Sequence, residues 1–271
     1  MARALRITFP GAFYHVTSRG NDRKNVFKSK RDREKFLEYL ESATQRYNAV
    51  IHAYCLMDNH YHLLLETPCG NLLQIMRHIN GAYTTYFNVK RARSGHVFQG
   101  RYKAILVDID EYAKELSGYQ HLNPVRAKMV ETPEMHDWSS YKFYIGKEKP
   151  AEWLYRDLIL GYFGKKVSAA QKGYQEFVTA LVKRKYASPL DAVVSSTLLG
   201  SPDFIAFIKD KFLSGKKLDQ ELPALKELVP KASLPCIILL QLLQHCANSR
   251  SRRWQWLHHF VMLSMREKSS S

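Results

Sequence analysis

Acidic side chains, cysteine and long apolar runs are all scarce in this sequence of 271 residues. Its four cysteines include no C-x-x-C pair, which argues against a structural zinc site or a disulfide framework and indicates reduced thiols in a cytoplasmic protein. The most apolar stretch, Cys236 to Leu243, is too short to cross a bilayer, and Met1 to Arg6 lacks the apolar core of a signal peptide. We therefore expect no membrane-spanning segment.

The shortage of acidic residues leaves a large excess of positive charge. Against 25 aspartate and glutamate residues stand 41 lysine and arginine residues, which gives a formal net charge of +16. Such an excess favours a polyanionic partner, either nucleic acid or an anionic membrane surface. The hydrophobic share of 45% is ordinary for a folded protein, so the charge does not indicate disorder. Charge alone predicts the kind of partner but no reaction.

The spacing of apolar residues predicts an α+β fold in the first half of the chain. The expected strands lie at 13–17, 50–57, 60–66, around 96–98 and at 102–107, and the expected helices at 32–47, 72–90 and from 108 or 110 to 123–124. This order predicts a ferredoxin-like antiparallel sheet with helices on one face. After about residue 147 only helices are expected, at 155–163, 174–185, 203–213 and 222–228.

A pair of histidines lies within one of the predicted strands. His60 and His62 are two positions apart, so both side chains project from the same face while Tyr61 turns into the core. Two imidazoles directed at one point can hold a divalent metal, although such a pair by itself is about as often structural. A catalytic site with an open position usually has a third protein ligand.

Tyr119 and Asn123 are the downstream residues that complete such a site. They are four positions apart on a predicted helix and therefore share a face. Asn123 offers an amide oxygen, and a set of nitrogen and oxygen ligands suits Mg²⁺ or Mn²⁺. A phenol of pKa about 10 is a weak nucleophile, but it becomes useful where a metal polarises the phosphate that it attacks. With 16 tyrosines in the chain, the alternative for Tyr119 is a packing role.

Four segments carry a more specific likeness: Phe13–Asn21, Leu56–Leu64, Phe98–Lys103 and Tyr119–Ala127. In this order they closely resemble the REP-associated tyrosine transposases, which belong to the single-tyrosine, His-hydrophobic-His superfamily with an insertion-sequence-200-like domain. The resemblance spans residues 3 to 147 and implies a ferredoxin-like nuclease that cuts and rejoins single-stranded DNA at short palindromic hairpins, through a 5′-phosphotyrosine.

The resemblance also assigns roles by position. His60 and His62 match the metal ligands of the family, and Tyr119 matches its nucleophile. Asn123 matches a polar position where related transposases carry a glutamine ligand. Arginine and lysine suit phosphate contacts, and Tyr102 or Phe98 could stack on a base. The predicted DNA contacts are Arg19, Asn21, Arg101, Tyr102, Lys103 and Arg126.

The expected organisation is a transposase domain over 1–147, a helical C-terminal region over 148–234 and a degenerate or poorly ordered tail over 235–271. The expected partners are single-stranded DNA hairpins, bound by a monomer or a homodimer in the nucleoid-associated cytoplasm. One alternative is a domesticated hairpin-binding protein without cleavage, against which the intact histidine pair, tyrosine and asparagine argue. A replication-initiator-like nickase is another, and the lack of a GxxxxGK[ST] helicase motif disfavours it.

Overall fold

The computed structural model describes residues 6–183 and 188–213. Their strands are β1 (Ala12–Arg19), β2 (Val50–Leu56), β3 (His60–Thr67), β4 (Lys103–Val107) and β5 (Leu198–Leu199). Their helices are α1 (Lys30–Tyr47), α2 (Leu72–Lys90), α3 (Ile109–Arg126), α4 (Tyr141–Tyr144), α5 (Asp157–Leu160), α6 (Val167–Lys183) and α7 (Pro202–Leu213). None of these helices is both long and apolar enough to span a membrane. The expected helix at 222–228 and the expected tail lie outside the described residues.

The strands form one sheet in the order β2-β3-β1-β4-β5. The first four are antiparallel to their neighbours, and this order is the ferredoxin-like arrangement that the sequence predicts. The two residues of β5 pair parallel with β4. The sheet is therefore mixed, and the C-terminal region, expected to be entirely helical, contributes one short strand to it.

Alternation along β3 divides the core into two layers. Tyr61, Leu63 and Leu65 pack with α1 and α2 on one face of the sheet. Leu64 points the other way and packs with α3 and α6. Helices α1 and α2 therefore lie on the same face, as expected, together with α7. Helices α3, α4, α5 and α6 cover the opposite face.

Two elements predicted in the first half of the chain also differ from the structure. No strand forms at 96–98, where Phe98 makes only a single bridge with Gly20. Helix α3 does not end at Asn123-Pro124 but continues to Arg126. Pro124 has no N–H to donate to the carbonyl of Gln120, so the helix lacks one hydrogen bond there, and it ends two residues later.

Candidate active site

The histidine pair of β3 faces helix α3. The ring centroids of His60 and His62 are 5.0 Å apart. His62 is only 7% exposed, whereas His60 lies partly in solvent at the beginning of the strand. The two imidazoles therefore line one small site, which is accessible to solvent on the side of His60.

Hydrogen bonding at the Nδ1 atoms of His60 and His62 determines which ring nitrogens remain available to bind a metal. His60 Nδ1 lies 2.6 Å from Asn59 Oδ1, and because an amide oxygen only accepts, this nitrogen donates. His62 Nδ1 lies 3.0 Å from Nε2 of His15. Burial lowers the pKa of both His60 and His62, which keeps the rings neutral as metal ligation requires. In each ring the Nε2 atom is thus the candidate ligand.

Helix α3 brings Tyr119 against this pair. The tyrosine ring stands edge-on to His62 and to His15, with centroid distances of 6.2 Å and 6.4 Å. The guanidinium carbon of Arg126 lies 4.9 Å from the Tyr119 ring centroid. The candidate nucleophile, the histidine pair and a positive charge therefore meet within one chain.

Unpartnered amides lie on the same helix. Asn123 follows Tyr119 by one turn, and its Nδ2 atom is buried without a hydrogen-bond partner among the described residues. Gln120 is fully buried, and neither of its amide atoms has a partner there. A buried polar group without a partner costs about 1–3 kcal/mol. Such orphaned amides beside a candidate nucleophile fit a site that a ligand completes.

The donor set is limited to nitrogen and amide oxygen. Among the described residues, no group of three or more histidine, cysteine, aspartate or glutamate side chains is arranged to hold a metal. His15 is not a third ligand of this type, because the nitrogen that it directs at the pair already contacts His62. Two histidine nitrogens and the Asn123 amide nevertheless have the chemistry that suits a divalent cation with open positions.

Several predicted DNA contacts lie at the rim of this site. Arg19 is paired in register with His60, and its guanidinium donates to Gln99 Oε1 at 3.1 Å. Lys103 is paired with Thr17, which is itself paired with His62, so Lys103 shares the sheet face of the histidines. Asn21, Arg101 and Arg126 are also exposed. These contacts with DNA stay predictions.

The two aromatic rings predicted to stack on a base, those of Tyr102 and Phe98, are buried. Tyr102 is 9% exposed, and the guanidinium of Arg6 covers its ring at 4.1 Å. Phe98 is buried and packs against Tyr61 and Tyr83. The interleaving of basic and aromatic residues in the sequence favours stacking on a base, but in the structure both rings are part of the apolar core. A role for Tyr102 in DNA contact stays a prediction, and its ring would first have to lose the cover of Arg6.

His15 is the site residue that reasoning from the sequence missed. It lies in the first family-like segment, yet nothing local connects it with His62, which follows 47 positions later. The available signal was alternation along β1, which places a histidine among buried side chains on the face of Phe13 and Thr17.

Comparisons with known proteins give one family-model match and several similar solved structures. The model of the family described as transposase, IS200-like, matches residues 8–121, which include both histidines of the pair, His15 and Tyr119 but not Asn123. A solved REP-associated tyrosine transposase bound to a REP hairpin is 14% identical, with a TM-score of 0.47 over 58% of this chain and 93% of that chain. A candidate transposase from Deinococcus radiodurans R1 is 16% identical, with a TM-score of 0.31 over 42% of this chain and 88% of that chain. No curated protein matches.

Proposed function

Because the model of the IS200-like transposase family matches residues 8–121, we propose that this chain cleaves and rejoins single-stranded DNA at palindromic hairpins, with Tyr119 as its nucleophile. The observation that carries the proposal is the position of the Tyr119 ring, 6.2 Å from that of His62. The four family-like segments and the basic side chains around the site support DNA as the substrate.

The proposed reaction is a transesterification at a phosphodiester. The Tyr119 oxygen forms a bond to phosphorus, and the bond from phosphorus to the 3′ oxygen of the neighbouring nucleotide breaks. The phenol loses its proton to solvent, and the departing oxygen takes one up to become a 3′-hydroxyl. Because the product is a 5′-phosphotyrosine diester, a 3′-hydroxyl can attack it in turn and rejoin the strands without an external energy source.

Three side chains would hold a divalent metal, Mg²⁺ or Mn²⁺. His60 and His62 would bind through Nε2, and Asn123 through its amide oxygen. When bound, such a metal polarises a phosphoryl oxygen and offsets the charge that develops on it. Asn59 orients the His60 ring through the Nδ1 hydrogen bond. Arg126, above the Tyr119 ring, adds positive charge where the phosphate would arrive.

The test is whether the protein becomes linked to DNA. Purified full chain is mixed with end-labelled single-stranded hairpin oligonucleotides in Mg²⁺, Mn²⁺ or EDTA, and the products are separated on a denaturing gel. We expect a metal-dependent protein–DNA band with the natural chain and its complete loss in Tyr119→Phe, because phenylalanine keeps the ring but lacks the attacking oxygen. Tyr112→Phe on the same helix is the matched control and should retain the band.

Two results would contradict the proposal. A covalent band that survives in Tyr119→Phe would assign the nucleophile to another residue. Tight hairpin binding without any band in either metal would instead support the alternative, a hairpin-binding protein that does not cut.

A further inference from the structure

Among the residues that the structure describes, the ring of His62 has one hydrogen-bonding neighbour, and it is a third histidine. Its Nδ1 atom lies 3.0 Å from Nε2 of His15. The two ring planes are inclined by only 13° with centroids 5.2 Å apart, so an N–H bond in the plane of one ring points at the lone pair of the other. Both side chains are buried, His15 to 1% exposure. Water therefore has little access to this contact.

A contact between two neutral imidazoles carries one proton, and its position decides what His62 can do. If His62 Nδ1 donates to His15, the Nε2 atom of His62 keeps a free lone pair. If His15 Nε2 donates instead, His62 carries its own proton on Nε2 and cannot act as a ligand there. In either arrangement the Nδ1 atom of His15 has no hydrogen-bond partner among the described residues, so the two arrangements differ in the direction of the hydrogen bond between His15 and His62.

We propose that His15 is a positioning residue that holds His62 in the Nδ1–H form and thereby directs His62 Nε2 toward a divalent cation. Metal-bound histidines usually donate their second ring nitrogen to a carboxylate, a backbone carbonyl or water, which determines both tautomer and orientation. Here a neighbouring strand supplies a neutral imidazole in that role. The same His15 ring also lies edge-on to Tyr119, so it packs against both the candidate ligand and the candidate nucleophile. The cation in this inference rests on the proposed function, but the tautomer of His62 does not.

The first experiment measures the tautomer without metal or DNA. Histidines are labelled with ¹⁵N, and the His62 signals are assigned by their loss in His62→Gln. We expect the natural chain to show His62 protonated at Nδ1. In His15→Leu, which removes the acceptor, we expect the proton to move to Nε2, whereas His15→Gln, whose amide oxygen can still accept, should retain the Nδ1–H form. Finding His62 protonated at Nε2 in the natural chain would overturn the proposal.

The second experiment titrates Mn²⁺ into the full chain without DNA, by calorimetry. Loss of a partner of this kind weakens metal binding about 10–100-fold, so we expect that loss in His15→Leu and a smaller one in His15→Gln. His78→Leu is the matched control, because His78 bonds to Ser42 on the other helical layer. Equal affinity of His15→Leu and the natural chain, with circular dichroism showing both folded, would also overturn it. If the natural chain binds no Mn²⁺, the metal part of the proposed function fails, while the tautomer measurement still decides the role of His15.

Discussion

At the residue scale, the buried carboxylate of Asp32 illustrates how one side chain can join two helices. It accepts hydrogen bonds from the backbone amides of Lys28 and Ser29 at the beginning of α1. It also pairs with Lys90 and Arg91 at the end of α2. Burial by itself would raise the pKa of Asp32, but these hydrogen bonds outweigh burial and hold the pKa well below its usual range.

This pKa predicts a loss of stability in acid. The folded pKa lies below the unfolded one of about 3.9, so the contribution of Asp32 is complete above that value and disappears as the pH falls through the folded pKa. Asp32→Asn should lower the free energy of unfolding by about 1.5–3 kcal/mol at pH 7, and the difference from the natural chain should shrink below about pH 4. Urea unfolding of both proteins at about six pH values, from about 2.5 to about 7, measures this difference in the free energy of unfolding.

The control for this prediction is Asp137→Asn, which removes a mostly exposed partner of Lys142. An exposed ion pair contributes about 0–1 kcal/mol, so the change should be small. A difference between Asp32→Asn and the natural chain that stays constant down to the lowest pH would contradict the assignment.

At the scale of elements, helix α3 is held on both sides through His121. One ring nitrogen of His121 lies 2.6 Å from the Tyr174 hydroxyl of α6, and the other lies 2.7 Å from Ser140 Oγ. Ser140 Oγ in turn accepts from the backbone N–H of Tyr54 in β2. Burial lowers the pKa of His121 to about 3, so the ring stays neutral near pH 7. Hydrogen bonds of His121 thus connect helix α3, which carries Tyr119, to strand β2 through Ser140 and to helix α6 through Tyr174.

These hydrogen bonds predict that the Tyr174 hydroxyl, which is not part of the active site, helps to hold helix α3 and therefore Tyr119 in position. Tyr174→Phe leaves a nitrogen of His121 without a partner in the core, which should lower the free energy of unfolding by about 1–3 kcal/mol. It should also slow formation of the protein–DNA band, since Tyr119 is two residues from His121. Urea unfolding and the gel assay measure the two effects. Tyr155→Phe, whose side chain is 48% exposed, should change neither, and an unaltered Tyr174→Phe would show that α6 does not support α3.

At the scale of the whole molecule, the net charge of +16 is expected to dominate the affinity for DNA. Each phosphate neutralised on a single strand contributes a slope of about −0.7 to the plot of log K against log salt. Arg101→Gln and Lys103→Gln should each weaken hairpin binding and reduce the magnitude of that slope by about 0.7. Fluorescence anisotropy in a salt series measures both quantities.

The matched control is Lys172→Gln. It removes an exposed lysine of α6 that pairs with Glu176 one turn later. It removes the same charge from a surface where no DNA contact is predicted, so the slope should stay as in the natural chain. Equal slopes for all three variants would mean that Arg101 and Lys103 are solvated charges and contact no phosphate.

The expected fold followed from local periodicity, and the departures from it arise where distant parts of the chain compete. Tyr61 projects from the face of β3 opposite to His60 and His62, as predicted, since alternation depends only on neighbouring positions. The strand expected near Phe98 does not form: this residue makes a single bridge with Gly20, and its ring packs against Tyr61 and Tyr83 in the core. The two residues of β5 carry no periodic signal, and only their pairing with β4 makes them a strand.

The sequence by itself determined that His60 and His62 share a strand face and that Tyr119 and Asn123 share a helix face, because spacings of two and four residues are properties of a strand and a helix. Only the tertiary structure decided that Tyr119 lies against the histidine pair and that His15 contacts His62. Those contacts join residues tens of positions apart. They depend on the register of β1 against β3 and on the packing of α3 over the sheet, which no local pattern contains.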